Sequence, residues 1–179
     1  MPAPVCVFGA EGEGPQEFVT VLVPRAAGAP AARVLSLTAG GAAHFLEIAD
    51  GEARDFVILG RPGRLVAEQR FTTDFAWTWA RVAPGGELRE LILIGGGSRF
   101  AYGAHEVLNS PRPLRYAAAQ VVGGELRFEA EPEGAENRGG ADLVIDGGAF
   151  GLRDKLSKEG FGAATGGATV QAPHSRPGL

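Results

Sequence analysis

The sequence predicts an all-β protein: an antiparallel β-sandwich with hairpin connections, at most one short helix and a loose C-terminal tail. Three observations carry this. Apolar and polar residues alternate with a period of two in most apolar stretches, the mark of a strand with one face buried. Glycines stand between those stretches, where tight hairpins demand a positive φ. The strand-like segments are short and closely spaced, with no helical pattern between them to build βαβ crossovers.

The first candidate strand is Glu17 to Val23, followed by Arg33 to Leu37, Ala43 to Ile48 and Ala53 to Leu59. Pro84-Gly85-Gly86 then joins Phe75–Val82 to Glu87–Ile94 as a hairpin, and Gly95-Gly96-Gly97 reads as another reversal before Phe100 to Tyr102. Gly123-Gly124 joins Leu114–Val121 to Glu125–Glu131. In that last strand Leu126, Phe128 and Ala130 share one face and charged residues fill the other. Pro132 to Gly140 is polar and predicts a long loop, Leu143 to Ile145 a further strand, and Asp146-Gly147-Gly148 a turn. Leu152 and Leu156, four apart, predict one or two helical turns over Leu152 to Glu159. Gly160 to Leu179 is rich in Gly, Ala, Thr and Pro and predicts a loose tail. These segments predict a sandwich over 1–150 and a short helical turn with a flexible tail over 151–179.

With 179 residues, 45% of them hydrophobic and 21% charged, the chain can bury a core and is not composed like a disordered one. Its formal charge of −4, with arginines scattered among carboxylates, supplies no basic field, so nucleic acid is not an expected partner. Nor is a membrane: the longest strongly apolar run, Leu91 to Ile94, falls far short of the roughly 20 residues a spanning helix needs. Met1-Pro2-Ala3-Pro4 leads into no basic and long apolar stretch, so the N-terminus does not read as a signal peptide. Cys6 is the single cysteine, which leaves a small apolar role near the N-terminus.

No complete catalytic constellation is legible. His44, His105 and His174 are far apart and form neither HxH nor HExxH, so no metal is predicted, and no cofactor motif occurs. Gly97-Ser98-Arg99 lacks the second glycine and the following helix of a nucleophile elbow. Among the acids, Glu52, Asp55, Asp74, Asp142 and Asp146 could supply a carboxylate pair, yet spacing singles out none. The substrate-binding candidates are Trp77, Trp79, Tyr102 and His105. The two tryptophans are two apart and project from one face with Phe75, as a sugar-stacking row or as core. The small residues Ala76, Thr78 and Ala80 on the other face predict core for at least one of them. Tyr102 with His105 has the chemistry of an acid–base pair for proton abstraction beside a uronic acid.

From Glu17 to about Tyr116 the order of phrases resembles the C-terminal β-sandwich of the heparinase II/III-like polysaccharide lyases. These phrases are Phe18-Val19-Thr20-Val21-Leu22-Val23-Pro24, Ala53 to Leu59, Phe71 to Val82, Glu87 to Gly97 and Phe100 to Leu108. The resemblance implies a non-catalytic module that supports binding of an acidic polysaccharide. It also implies an α-toroid domain as partner, β-elimination by the larger enzyme rather than by this chain alone, and a periplasmic or extracellular setting. The motifs contain no segment matching the family's catalytic Asn, His or Tyr, so no catalytic residue is transferred. The alternative is a standalone carbohydrate-binding or protein-interaction β module.

Overall fold

The computed structural model describes residues 28, 31–38, 43–133, 143–152, 155–158 and 168–170. The candidate strand Glu17–Val23, the loop beyond Glu133 as far as residue 142, and most of the tail lie outside them.

Among the described residues twelve strands form the fold: β1 (Arg33–Thr38), β2 (His44–Asp50), β3 (Ala53–Leu59), β4 (Val66–Glu68), β5 (Phe71–Thr73), β6 (Trp77–Val82), β7 (Leu88–Tyr102), β8 (His105–Val122), β9 (Glu125–Pro132), β10 (Leu143–Asp146), β11 (Lys155–Lys158) and β12 (Ala168–Val170). One 3₁₀ turn, Gly147–Phe150, is the only helical element among the described residues. Every pairing is antiparallel, so the all-β antiparallel class predicted from alternation is what the chain adopts.

The two layers of the sandwich are portions of one hydrogen-bonded sheet. Its spine is the ribbon of β7 and β8, which pair from Glu90↔Gln120 to Tyr102↔His105. At one end β7 carries β6, β3, β2 and β1 on its flank, while β8 carries β9 and β12. At the other end β7 pairs with β5, β5 with β4, and β8 with β10. The second layer folds back over the first. Phe71 of β5 lies 4.9 Å from the ring of Phe56 and 6.3 Å from that of Phe45, although β5 is not bonded to β2 or β3. Thr73 and Thr78, buried in opposing layers, share a hydroxyl hydrogen bond of 3.0 Å.

The fold-over happens where glycines permit it. Gly95, Gly96 and Gly97 do not end a strand, as the sequence reading had it; β7 runs through them with register shifts between Ile94 and Gly97 and between Gly97 and Arg99. A bulged, bent strand satisfies the same glycine chemistry as a reversal. Gly95 and Gly96 sit at φ of 91° and 72°. At Gly97 the demand is for space, because a Cβ would stand 2.4 Å from Cγ of the Phe75 ring. Asp74 secures the bend from the side: its Oδ1 accepts from the N–H groups of Ser98 and Arg99, and its Oδ2 from the Ser98 hydroxyl, each at 2.8 Å.

Two further expectations are corrected. Lys155–Lys158 is a strand paired with β10, not part of a helix over Leu152–Glu159. One i,i+4 leucine pair cannot hold a short helix, and the ladder along β10 supplies backbone partners instead. The strand drawn as Phe75–Val82 starts at Trp77, because Phe75 turns into the core and its N–H donates to Thr73 Oγ1. The hairpins at Pro84–Gly86 and Gly123-Gly124, and the turn at Asp146–Gly148, stand where turn chemistry placed them. Asp146 caps the 3₁₀ turn by accepting from the Gly148 N–H at 2.8 Å.

Candidate functional site

β6 decides which side chains meet solvent. Thr78, Ala80 and Val82 point inward at 1%, 0% and 5% exposure, in rows with Ile58, Leu93, Phe56 and Leu91 on neighbouring strands. Trp77 and Trp79 therefore face outward, and both are half-buried. This corrects the expectation that at least one tryptophan fills the core. The small side chains face inward because the opposite layer brings the bulk to meet them, in Phe71, Phe75 and Phe100.

Register builds the outer face into three parallel rows. The first is Leu59, Trp77, Ile94 and Tyr116, and the second Leu46, Val57, Trp79, Ile92 and Ala118. The third turns polar with Asp55, Arg81, Glu90 and Gln120. Arg81 donates from Nε and Nη2 to the two oxygens of Asp55 at 2.7 and 2.8 Å, and from Nη2 to Asp50 at 3.1 Å. Its guanidinium lies 5.6 Å from the centroid of Trp79, which fixes that indole by a cation–π contact. The hydrogen-bonded Asp55 carboxylate raises the Arg81 pKa further. On the far flank Tyr116 donates its hydroxyl to Glu129 at 2.6 Å, and Arg115 pairs with Glu131. Burial first, and then the bond to Glu129, push the Tyr116 phenol up to about 12. It is therefore a neutral hydroxyl throughout the physiological range.

Tyr102 and His105 are elsewhere. They oppose each other across the tip of the β7–β8 hairpin, in the second layer. Tyr102 is buried against Phe71, its hydroxyl donates to the Gly86 carbonyl at 2.9 Å, and the Arg70 guanidinium lies 5.0 Å from its ring centroid. Burial raises its pKa, with Arg70 opposing. The hydroxyl thus ties the second layer to the β6–β7 turn of the first. His105 Nδ1 lies 3.1 Å from Asp146 Oδ2 and shares a hydrogen bond with it. The sequence candidates therefore divide: the structure joins Trp77 to Trp79 and sets Tyr102 and His105 apart from them.

The acids considered for a carboxylate pair are occupied separately, Asp55 by Arg81, Asp74 by the bend and Asp146 by the 3₁₀ turn and His105. Glu52 lies in an exposed turn, and Asp142 and His174 are outside the described residues. Among the described residues no three His, Cys, Asp or Glu side chains converge as a metal site, and no helix is long and apolar enough to cross a membrane.

Tyr116 belongs to the outer face and was not singled out from the sequence. The signal that finds it is register: counted through the β6–β7 hairpin and the β7–β8 ribbon, Tyr116 stands across Ile94 from Trp77. Comparison with protein-family models and with curated proteins gives no match.

Proposed function

We propose that the chain is a non-catalytic glycan-binding β module whose outer sheet face stacks on sugar rings. One observation carries the reading: Trp77 and Trp79 stand on the side of β6 away from the core, half-exposed, with Tyr116 in the same band. Indole and phenol rings present flat apolar surface with a polar rim, which suits the C–H faces of pyranoses. Gln120, Glu90 and Arg81 supply hydrogen-bonding groups in the adjacent row, two residues along the strands. The resemblance to lyase sheet domains suggests a place for the module, beside an α-toroid that carries the chemistry.

The charge on this face refines the ligand. Asp50, Asp55, Glu90, Glu129 and Glu131 outnumber Arg81, Arg115 and Arg127 around the aromatic band, and most of the guanidinium charge is held in ion pairs. A polyanion meets repulsion there. The face favours an uncharged saccharide over the acidic polysaccharide implied by the sequence resemblance. A protein-interaction module is the second reading, favoured by the aliphatic Ile92 and Ile94 between the aromatics, Ile94 being 43% exposed.

The chain has two tryptophans and both lie on this face, so indole emission reports on it alone. Titration with neutral oligosaccharides (glucan, xylan, mannan) is expected to shift that emission, with the response lost in Trp77→Ala and weaker for heparan sulfate, alginate or hyaluronan. Silence toward every saccharide would overturn the glycan reading. A rise in unsaturated-uronate absorbance that Tyr102→Phe or His105→Ala abolishes would overturn the non-catalytic one.

A further inference from the structure

The open part of the outer face has a direction. Toward β2 that face closes, with Leu46 and Ile48 at 2% and 6% exposure, whereas toward β8 it stays in contact with water, from Trp77 through Ile94, 43% exposed, to the half-buried Tyr116. These three residues form one register row, since Trp77 pairs with Ile94 and Ile94 with Tyr116. Its two aromatic ends stand two strand spacings apart, about 9.6 Å. Along β6 the step is different: Trp77 and Trp79 are two residues apart on one strand, about 6.8 Å, and the next outward side chain is Arg81, held by Asp55. On β9 the rows of Tyr116 and Ala118 end at Glu131 and Glu129. Glu131 pairs with Arg115, and Glu129 accepts from the Tyr116 hydroxyl at 2.6 Å.

We infer that this face takes a neutral, extended β-1,4-linked chain of pyranoses laid across β6, β7 and β8, with one ring on Trp77 and the ring two further along on Tyr116. The inference rests on the glycan-binding reading and adds to it the linkage and the length that the face selects. A β-1,4 linkage between equatorial bonds keeps the chain straight, and each pyranose advances it by close to one strand spacing. When one ring lies on Trp77, the second ring beyond it therefore arrives over Tyr116, with the same face down because successive rings turn over. The ring between them rests on Ile94, whose aliphatic side chain meets C–H groups and asks for no hydrogen bond. Chains with α-1,4 or β-1,3 linkages bend at every step and carry that ring off the row. The step from Trp77 to Trp79 exceeds one sugar length and falls short of two, so Trp79 flanks the ring that Trp77 carries. Arg81 steadies Trp79 from 5.6 Å, and the bond to Glu129 steadies Tyr116, so neither ring has much freedom left to lose on binding. Glu129 and Glu131 can accept from sugar hydroxyls at the β9 end and repel a uronate there.

Indole emission and calorimetry of the full chain test this with cello-, manno- and xylo-oligosaccharides of increasing length, and with maltotriose and laminaritriose as linkage controls. At least one β-1,4 series is expected to gain about tenfold in affinity from disaccharide to trisaccharide, the contribution of one more stacked ring, and little beyond the trisaccharide. Tyr116→Ala is expected to abolish that step and leave the disaccharide affinity unchanged, while Tyr116→Phe keeps the step. A trisaccharide no tighter than its disaccharide, or a control trisaccharide that binds as tightly, would overturn the track across the strands and leave the glycan reading in place; both are read on the unmodified chain. A length step that survives in a folded Tyr116→Ala variant would do the same. Absence of binding by every saccharide would overturn both.

Discussion

The two faces of β6 are six residues of one strand with opposite fates. Inward, Thr78, Ala80 and Val82 are sealed; outward, Trp77, Trp79 and Arg81 remain half in contact with water. Judged by side-chain area alone the order should be reversed. The difference teaches that a face is buried by what is brought against it, and not by its own bulk. The second layer delivers Phe71, Phe75 and Phe100 to the small face, while on the large one Trp77 and Trp79 stay partly open to water although Leu46 and Ile48, farther along the same face, are buried.

Three substitutions sharpen or break that comparison. The largest effect is expected for Phe75→Ala, which empties the space between the layers and removes the ring beneath Gly97. A loss of about 3–5 kcal/mol is expected, measured by urea denaturation, and a loss under about 1 kcal/mol would show that the layers are not held by this ring. Asp74→Ala should come next. It strips acceptors from the Ser98 and Arg99 N–H groups and from the Ser98 hydroxyl, at a cost of about 1–3 kcal/mol, with exchange of those two amides rising more than exchange in β9. Trp79→Ala is expected to cost least, about 1–2 kcal/mol for a half-buried ring and its contact with Arg81. A Trp79→Ala penalty equal to that of Phe75→Ala would mean that the outer face is a second core and would remove the basis for reading it as a binding surface.

Local chemistry was legible where it acts locally. The Gly-bearing hairpins at Pro84–Gly86 and Gly123-Gly124 need only the positive φ that glycine supplies, found at Gly86, Gly123 and Gly124. The buried face of Leu126, Phe128 and Ala130 needs only alternation; Leu126 and Phe128 are buried and Ala130 packs against them. What escaped depends on partners distant in sequence. Alternation separates Trp77 and Trp79 from Thr78 and Ala80 but does not say which set is covered. Gly97 is a glycine because of the Phe75 ring, 22 positions away in the chain, and β11 is a strand because β10 offers it a ladder. Tyr116 reaches the tryptophan rows only through the pairing of β6 with β7 and β7 with β8.

The β7–β8 ribbon has a consequence for dissection of the chain. Its tip, Gly103-Ala104, is exposed, and every strand before the tip belongs to one piece and every strand after it to the other. Each layer draws on both pieces: β6 and β9 flank the ribbon at one end, β5 and β10 at the other. A chain severed at that tip therefore yields two halves, neither of which owns a complete layer and each of which presents the other with a ladder running the length of the ribbon. Such halves suit conditional reassembly, with the tryptophan face restored only when both are present.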